Sequence, residues 1–220
     1  MKPEYIDIHT HKSNQGQNVL EIVNLFPENE LVGEGYFSMG IHPWYIRPEF
    51  FRDDFDILSG KCSDIRVLAV GECGLDKMRG AETELQDRLF EKHILLAERL
   101  AKPLIVHCVK AYEEIMAFKK KYKPSSAWII HGFNKTPEMA MQLVNAGFYL
   151  SFGAILKETN AKAAEALKLI PEEMFFLETD DSGCDIAEIY AAASEIRGIS
   201  EERTGIIIKE NFERSFRIKI

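Results

Sequence analysis

Histidines and acids in this chain fall where short apolar runs end. Asp7-Ile8-His9-Thr10-His11 comes first, then Gly40-Ile41-His42-Pro43 and Gly71-Glu72-Cys73-Gly74-Leu75-Asp76. Val106-His107, Ile130-His131 and Leu177-Glu178-Thr179-Asp180 complete the series. Imidazole nitrogens and carboxylate oxygens are ligands for divalent cations. Strands that end on such residues, repeated around a chain, are how a parallel α/β barrel builds a catalytic centre at one end of its sheet. The chemistry to expect is metal-assisted hydrolysis.

Each residue has a definable part in that chemistry. His9 and His11 are two apart, so on a strand they project to one side as a chelating pair. Asp7 shares that face one step deeper, where a carboxylate can orient an imidazole. Glu72 has two oxygens and can bridge two cations about 3.5–4 Å apart. His107 and His131 each close a strand and offer one imidazole apiece to a second metal. Asp180 completes the set, able to bind a cation and to accept a proton from the attacking water. Four neutral imidazoles and two carboxylates leave a pair of divalent cations with residual positive charge, which favours hydroxide and an anionic substrate such as a phosphate ester. Cation binding lowers the pKa of water toward ~7, so a metal-bound hydroxide is available at neutral pH. A donor set without thiolate suits zinc, manganese, cobalt or iron, and magnesium less well. Cys73 and Cys108 each follow a candidate ligand, so on a strand their thiols face away from it and read as small buried hydrophobes.

The elements that must carry these residues follow from the apolar pattern. Strand-like runs occur at Tyr5–His9, Val19–Leu25, Tyr36–Ile41, Val67–Gly71, Leu104–His107, Ala127–His131, Phe148–Phe152 and Met174–Glu178. Several are apolar almost throughout, as in a parallel sheet covered on both faces. Thr83 and Gln86 form a capping-box pattern, followed by Leu85, Leu89, Leu96 and Leu100 at helical spacing. His93, inside that helix and outside the motifs, reads as structural. Thr136-Pro137-Glu138 reads as an N-cap, an N1 proline and a first-turn acid, and Gly147 ends that helix. Further helices are expected over Ala161–Leu169, Ile186–Arg197 and Glu201–Phe216. The first quarter is different. Lys12–Asn18 is too short and polar for a crossover helix, as is the gap from Leu25 to Tyr36, so the barrel is expected to be irregular or partly open there.

The 220 residues suit one domain spanning 1–220, near the lower size limit for a TIM-like (β/α)8 barrel. A net charge of −8 argues against a non-specific nucleic-acid binder, although not against a nuclease that holds phosphates on metal ions. The lysines from Lys119 to Lys123 read as the solvated end of a helix. No run approaches the ~20 apolar residues of a membrane span, and Met1-Lys2-Pro3-Glu4 passes straight into a strand, so the expected location is cytoplasmic. Four cysteines show no CxxC spacing.

Taken in order, the six motifs resemble the TatD family of metal-dependent hydrolases, a branch of the amidohydrolase superfamily, and the resemblance runs from Tyr5 to about Phe216. It implies a (β/α)8 barrel with two divalent metal ions. His9, His11 and Asp180 would hold one, His107 and His131 the other, with Glu72 bridging and His42 near the substrate phosphate. It also implies phosphodiesterase or deoxyribonuclease activity. The chain departs from the family pattern at defined places. The segment before Gly40-Ile41-His42-Pro43 is compressed. Cys108-Val109 stands where Ser-Arg is frequent, leaving Lys110 as the nearest cation. Asp181-Ser182 follows Thr179-Asp180, and the loop beyond is short. These differences fall on the substrate side, not on the metal ligands.

Three functions are therefore weighed. The first is a two-metal hydrolase of phosphate esters, with single-stranded DNA among its candidate substrates and with His42 and Lys110 contacting substrate. The second is an amidohydrolase-type enzyme acting on a small amide, lactone or carboxylic ester. The third is a metal-binding scaffold without activity, whose signature would be a broken ligand set; this set is unbroken. None requires a membrane or an obligate protein partner.

Overall fold

A computed structural model describes residues 4–13, 18–158 and 161–220. The N-terminal Met1–Pro3 and most of the polar stretch after Lys12 lie outside the described residues. Eight strands appear in the expected places: β1 Tyr5–Thr10, β2 Val19–Leu25, β3 Tyr36–Met39, β4 Val67–Asp76, β5 Leu104–Val109, β6 Trp128–Ile130, β7 Phe148–Phe152 and β8 Phe175–Leu177. They follow one another in chain order in one eight-stranded sheet. Among the described residues seven α-helices lie between and after the later strands: α1 Phe51–Lys61, α2 Thr83–Leu100, α3 Tyr112–Tyr122, α4 Pro137–Asn145, α5 Lys162–Leu169, α6 Ile186–Arg197 and α7 Glu201–Phe216. The chain divides into two compact units, one of residues 1–23 with 130–220 and one of residues 24–129.

In the first unit β1 pairs with β2 in parallel, Tyr5 opposite Val19 and Thr10 opposite Val23, with a register shift after Asp7. Among the described residues no helix lies between them. Returning along a six-residue strand requires about 20 Å, and the eight residues 11–18 reach at most about 27 Å when extended, so a helix is unnecessary. β2 is accordingly buried only at alternate positions. β7 and β8 are parallel, Leu150 opposite Phe175 and Phe152 opposite Leu177. Tyr190 of α6 satisfies the backbone of Ile6 in β1, its hydroxyl accepting from the N–H at 3.0 Å and donating to the carbonyl at 3.1 Å. Side chains cap the helices as their types dictate: Thr136 accepts from Met139 N, Asp185 from Ala187 N and Ser200 from Arg203 N. Gly147 and Gly198, at φ +81° and +67°, stop α4 and α6.

In the second unit β4 is the longest strand and is buried at all ten positions. β3 covers only its first part, from Phe37 opposite Val67 to Met39 opposite Val70. β5 pairs along the rest, Val70 opposite Leu104 and Asp76 opposite Val109. Beyond Val70, the β3-facing edge of β4 therefore needs other partners. Asn24 Oδ1 accepts from Glu72 N at 2.7 Å, and the Gln86 amide accepts from Asp76 N at 2.8 Å and donates to Asp76 O at 3.0 Å. This corrects the expected capping box. Helix α2 starts after Glu82 with no side-chain cap, because Gln86 is buried against the end of β4 instead of turning back to its own helix. Gly74 cannot be replaced: a Cβ there would collide with the His107 carbonyl, and its φ is +150°. The lysine run ends α3, with Lys120, Lys121 and Lys123 exposed. Lys119 departs from expectation, lying 5.4 Å from the Trp128 ring centroid, and burial pulls its ammonium down to about 8.

Candidate metal centre

The first unit gathers His9, His11 and Asp180. Alternation along β1 puts both imidazoles on one side, with ring centroids 5.1 Å apart. Asp180 is strapped to the end of β1 by its backbone, its N–H donating to His9 O at 2.9 Å and its carbonyl accepting from His11 N at 3.1 Å. That strap holds Asp180 at φ +53°, a conformation that aspartate tolerates better than most residues. Its Oδ1 then lies 3.7 Å from His9 Nε2 and 3.3 Å from His11 Nε2. One ligand atom from each of the three residues falls within 4.8 Å of the others. His131, at the end of β6, packs its ring 4.6 Å from that of His9, and its Nδ1 is 3.7 Å from Glu178 Oε1. Glu178 is fully buried and also accepts from Gly132 N at 2.5 Å, which fixes the turn after His131.

Asp7 differs from the expectation that it orients an imidazole ring. Its carboxylate accepts from Thr179 N at 3.1 Å, Thr179 Oγ1 at 2.6 Å and His9 N at 3.3 Å, so it anchors the backbone beside both ligands. Burial pushes its carboxyl up to about 7 against these hydrogen bonds.

The second unit gathers His42, Glu72 and His107, again with ligand atoms within 4.8 Å of one another. Glu72 Oε1 lies 3.2 Å from His42 Nε2 and 3.0 Å from His107 Nδ1. On its other side His107 Nε2 is 3.3 Å from Asp76 Oδ2, which accepts the Trp44 indole N–H at 2.6 Å. Burial pushes the Asp76 carboxyl up, but hydrogen bonds from Trp44, Met78 N and His107 outweigh it and hold the group below its ordinary value. His42 Nδ1 accepts from Trp44 N at 3.1 Å. With that lone pair used, the proton of a neutral ring sits on Nε2, which makes Nε2 a donor and not a metal ligand. His93 is a satisfied core residue, as expected: Nδ1 bonds Leu89 O at 2.8 Å and Nε2 accepts from Ile41 N at 3.0 Å, holding the chain just before His42. Burial lowers its imidazole to about 4.

Lys110 follows β5, exposed and at φ +53°. Beside the His42 turn, an open cavity of about 420 Å³ is bounded by Phe26, Ile41, Trp44, Tyr45, Arg47 and Asp54. Cys73 and Cys108 are buried, as expected of residues facing away from the ligands. Sequence reasoning missed Asn24 and Trp44. An asparagine in alternation with Leu20 and Ile22 along β2 signals the first; nothing short of the fold signals the second.

Residues 6–217 match the family described as TatD related DNase. The chain belongs to this family. Among relatives of the TatD-family chain, a metal-dependent hydrolase of Buchnera aphidicola subsp. Baizongia pistaciae is 30% identical over 81% of this chain and 67% of its own. The metal-dependent hydrolase YcfH of Escherichia coli is 29% identical over 86% and 77%. The solved TatD homolog YJJV of E. coli has a TM-score of 0.80 at 21% identity, covering 99% of this chain and 100% of its own. A TatD-family hydrolase from Entamoeba histolytica has a TM-score of 0.81 at 18% identity, over 99% and 100%. The fold is therefore the TIM-like (β/α)8 class that the strand-end pattern implied. The protein is a TatD-family metal-dependent hydrolase, and its His, Glu and Asp clusters fit divalent cations in donor type and spacing. No helix among the described residues is long and apolar enough to cross a membrane.

Proposed function

We propose that the protein hydrolyses phosphate esters, with His9, His11, Glu72, His107, His131 and Asp180 as the ligands of two divalent cations in one catalytic domain. The observation that carries this reading is His9, His11 and Asp180 in the first unit, with ligand atoms within 4.8 Å of one another, and Glu72 beside His107 at 3.0 Å in the second. The sharing among the cations, with Glu72 common to both, is the one the family resemblance implies. When bound, such cations acidify water toward a pKa of ~7 and polarise a phosphoryl oxygen.

The remaining steps belong to the chain. Asp180, half-exposed and held by the end of β1, accepts the proton of the attacking water. His42 donates from Nε2 to a substrate oxygen, its tautomer set by Trp44 N, and Lys110 adds positive charge at the rim. Asp76 orients His107, and Glu178 fixes the turn after His131. A phosphate substrate is further supported by a fold neighbour, the phosphotriesterase homology protein of E. coli, solved with phosphate in its active site (TM-score 0.67, 15% identity, 90% of this chain and 83% of that one). Single-stranded DNA is one such substrate. Cys108-Val109, which lacks the guanidinium frequent in the family, favours a second reading, hydrolysis of a small amide, lactone or carboxylic ester by the same residues.

Metal analysis together with assays of an activated phosphodiester, single-stranded DNA and a small-ester panel, each with Mn, Mg and Zn, separates the two. Phosphodiesterase activity lost in both Glu72→Ala and Asp180→Ala is the expected result. Activity that survives both would overturn the mechanism, and cleavage of carboxylic esters alone would promote the second reading.

A further inference from the structure

We propose that Arg79 binds an anionic oxygen of the substrate and supplies the guanidinium missing after β5; this rests on the phosphate-ester reading above. Arg79 lies in the turn that follows β4. Asp76 Oδ1 accepts from Met78 N at 2.7 Å and Arg79 N at 3.1 Å, and Gln86 Nε2 donates to Ala81 O at 2.7 Å. Ala81 N donates to Pro43 O at 3.3 Å, and a Cβ on Gly80 would collide with that same carbonyl. The turn is thereby clamped onto His42-Pro43-Trp44. Arg79 places its guanidinium carbon 4.0 Å from the centre of the Trp44 ring. The same indole packs against His42 at 4.8 Å and His107 at 5.7 Å between ring centroids, so the cation is held one ring away from the cluster.

Its charge is uncommitted. Neighbouring Lys77 is paired with Glu114, whereas Arg79 has no carboxylate within ion-pair distance among the described residues. An aromatic face orients a guanidinium without neutralising it. The N–H edges stay available, and their fork geometry matches two phosphate oxygens. In a chain of net charge −8, an unneutralised arginine held against the Trp44 face has more to offer an anion than Lys110, although both are exposed. Arg79 follows β4, the strand before the one that carries Cys108-Val109.

The test uses Mn-loaded wild-type protein, Arg79→Gln, Arg79→Lys and, as a charge control on the exposed face of α1, Arg52→Gln. Steady-state kinetics on bis(p-nitrophenyl) phosphate should show KM raised about tenfold in Arg79→Gln, with the larger part of the loss in KM and not in kcat. The inhibition constant of inorganic phosphate should rise in parallel. Arg79→Lys should recover part of both, Arg52→Gln should match wild type, and bound metal should be equal in all four. Unchanged KM and phosphate inhibition in Arg79→Gln would overturn the inference while leaving the phosphate-ester reading intact. If wild-type protein cleaves no phosphodiester, that reading fails, and calorimetric titration of inorganic phosphate into the same Mn-loaded proteins decides the inference. Weaker binding to Arg79→Gln supports it, and equal binding overturns it.

Discussion

The two donor clusters are built from the same residue types and held in different ways. In the first unit the side chains of His11 and Asp180 are 28% and 36% exposed, and Asp180 is placed by two backbone hydrogen bonds and a left-handed φ. In the second unit the side chains of His42, Glu72 and His107 are 6%, 6% and 11% exposed, and every one is braced by a neighbour. Asn24 holds the Glu72 backbone, Asp76 holds His107, and Trp44 N sets the tautomer of His42. The difference separates two demands on a hydrolytic centre. An open cluster admits water and exchanges its cation, while a braced cluster keeps donors aligned as charge develops.

The largest expected effect comes from removing the carboxylate that lies beside both imidazoles of the braced cluster. Glu72→Ala should lower kcat by at least about 10³-fold, beyond the 10–100-fold that loss of an outer partner costs, and should reduce bound metal. Metal content equal to wild type would show that the buried cluster is not a cation site, and the comparison would fail.

A second effect separates the units by pH. Burial holds the His93 imidazole at about 4, against ~6.5 in an unfolded chain. Between those values the unfolded chain carries the extra proton, so the His93 contribution to stability rises with pH and is lost as pH falls from ~6.5 through 4, while Asp7, held up to about 7, contributes in the opposite sense. The loss amounts to roughly 3 kcal/mol and falls on the element that carries His42. Urea unfolding at pH 7 and 4 should therefore show that His93→Gln gains stability relative to wild type as the pH falls. An equal difference at both pH values would remove His93 as the acid-sensitive anchor.

A third effect tests the bracing directly. Asp76→Asn keeps the size of the side chain but weakens its hold on His107 and Trp44. It should reduce metal affinity or kcat/KM by about 10–100-fold, with little change in the circular dichroism spectrum. An unaltered kcat/KM would mean that the braced cluster does not depend on its brace.

The open cluster was far more legible in the sequence than the braced one. His9, His11 and Asp180 lie at strand ends, and alternation alone puts two of them on one side. The strand ladder was equally legible, because β-branched runs bounded by polar turns leave little choice of element. The compressed first quarter was legible from length alone, and among the described residues no helix lies between β1 and β2. What could not be read were partners created by pairing of distant segments. Gln86 looked like half of a capping box, because its role depends on β3 ending short of β4's full length. Asn24 meets the Glu72 backbone only once β2 and β4 are folded together. The preference of His42 for donation over ligation comes from one backbone N–H that no motif encodes.

The smallest expected effect lies in the open cluster, where the support is backbone and not side chain. Thr179→Val is nearly isosteric and deletes only the hydroxyl that donates to Asp7 at 2.6 Å. Thr179 N still donates to Asp7 at 3.1 Å, and both backbone straps from β1 to Asp180 remain. The loss should therefore be that of one charge-assisted hydrogen bond with its acceptor still partly satisfied, about 1–2 kcal/mol of stability. Cation affinity should fall by about tenfold or less, since Asp180 keeps its two anchors and moves little. Thermal denaturation with and without added Mn reads both quantities on one sample. If Thr179→Val costs as much activity as Asp76→Asn, side-chain bracing governs both clusters alike and the contrast between them dissolves. If it costs stability alone, backbone strapping suffices to place Asp180, and the exposed side of that cluster is free to serve water and substrate.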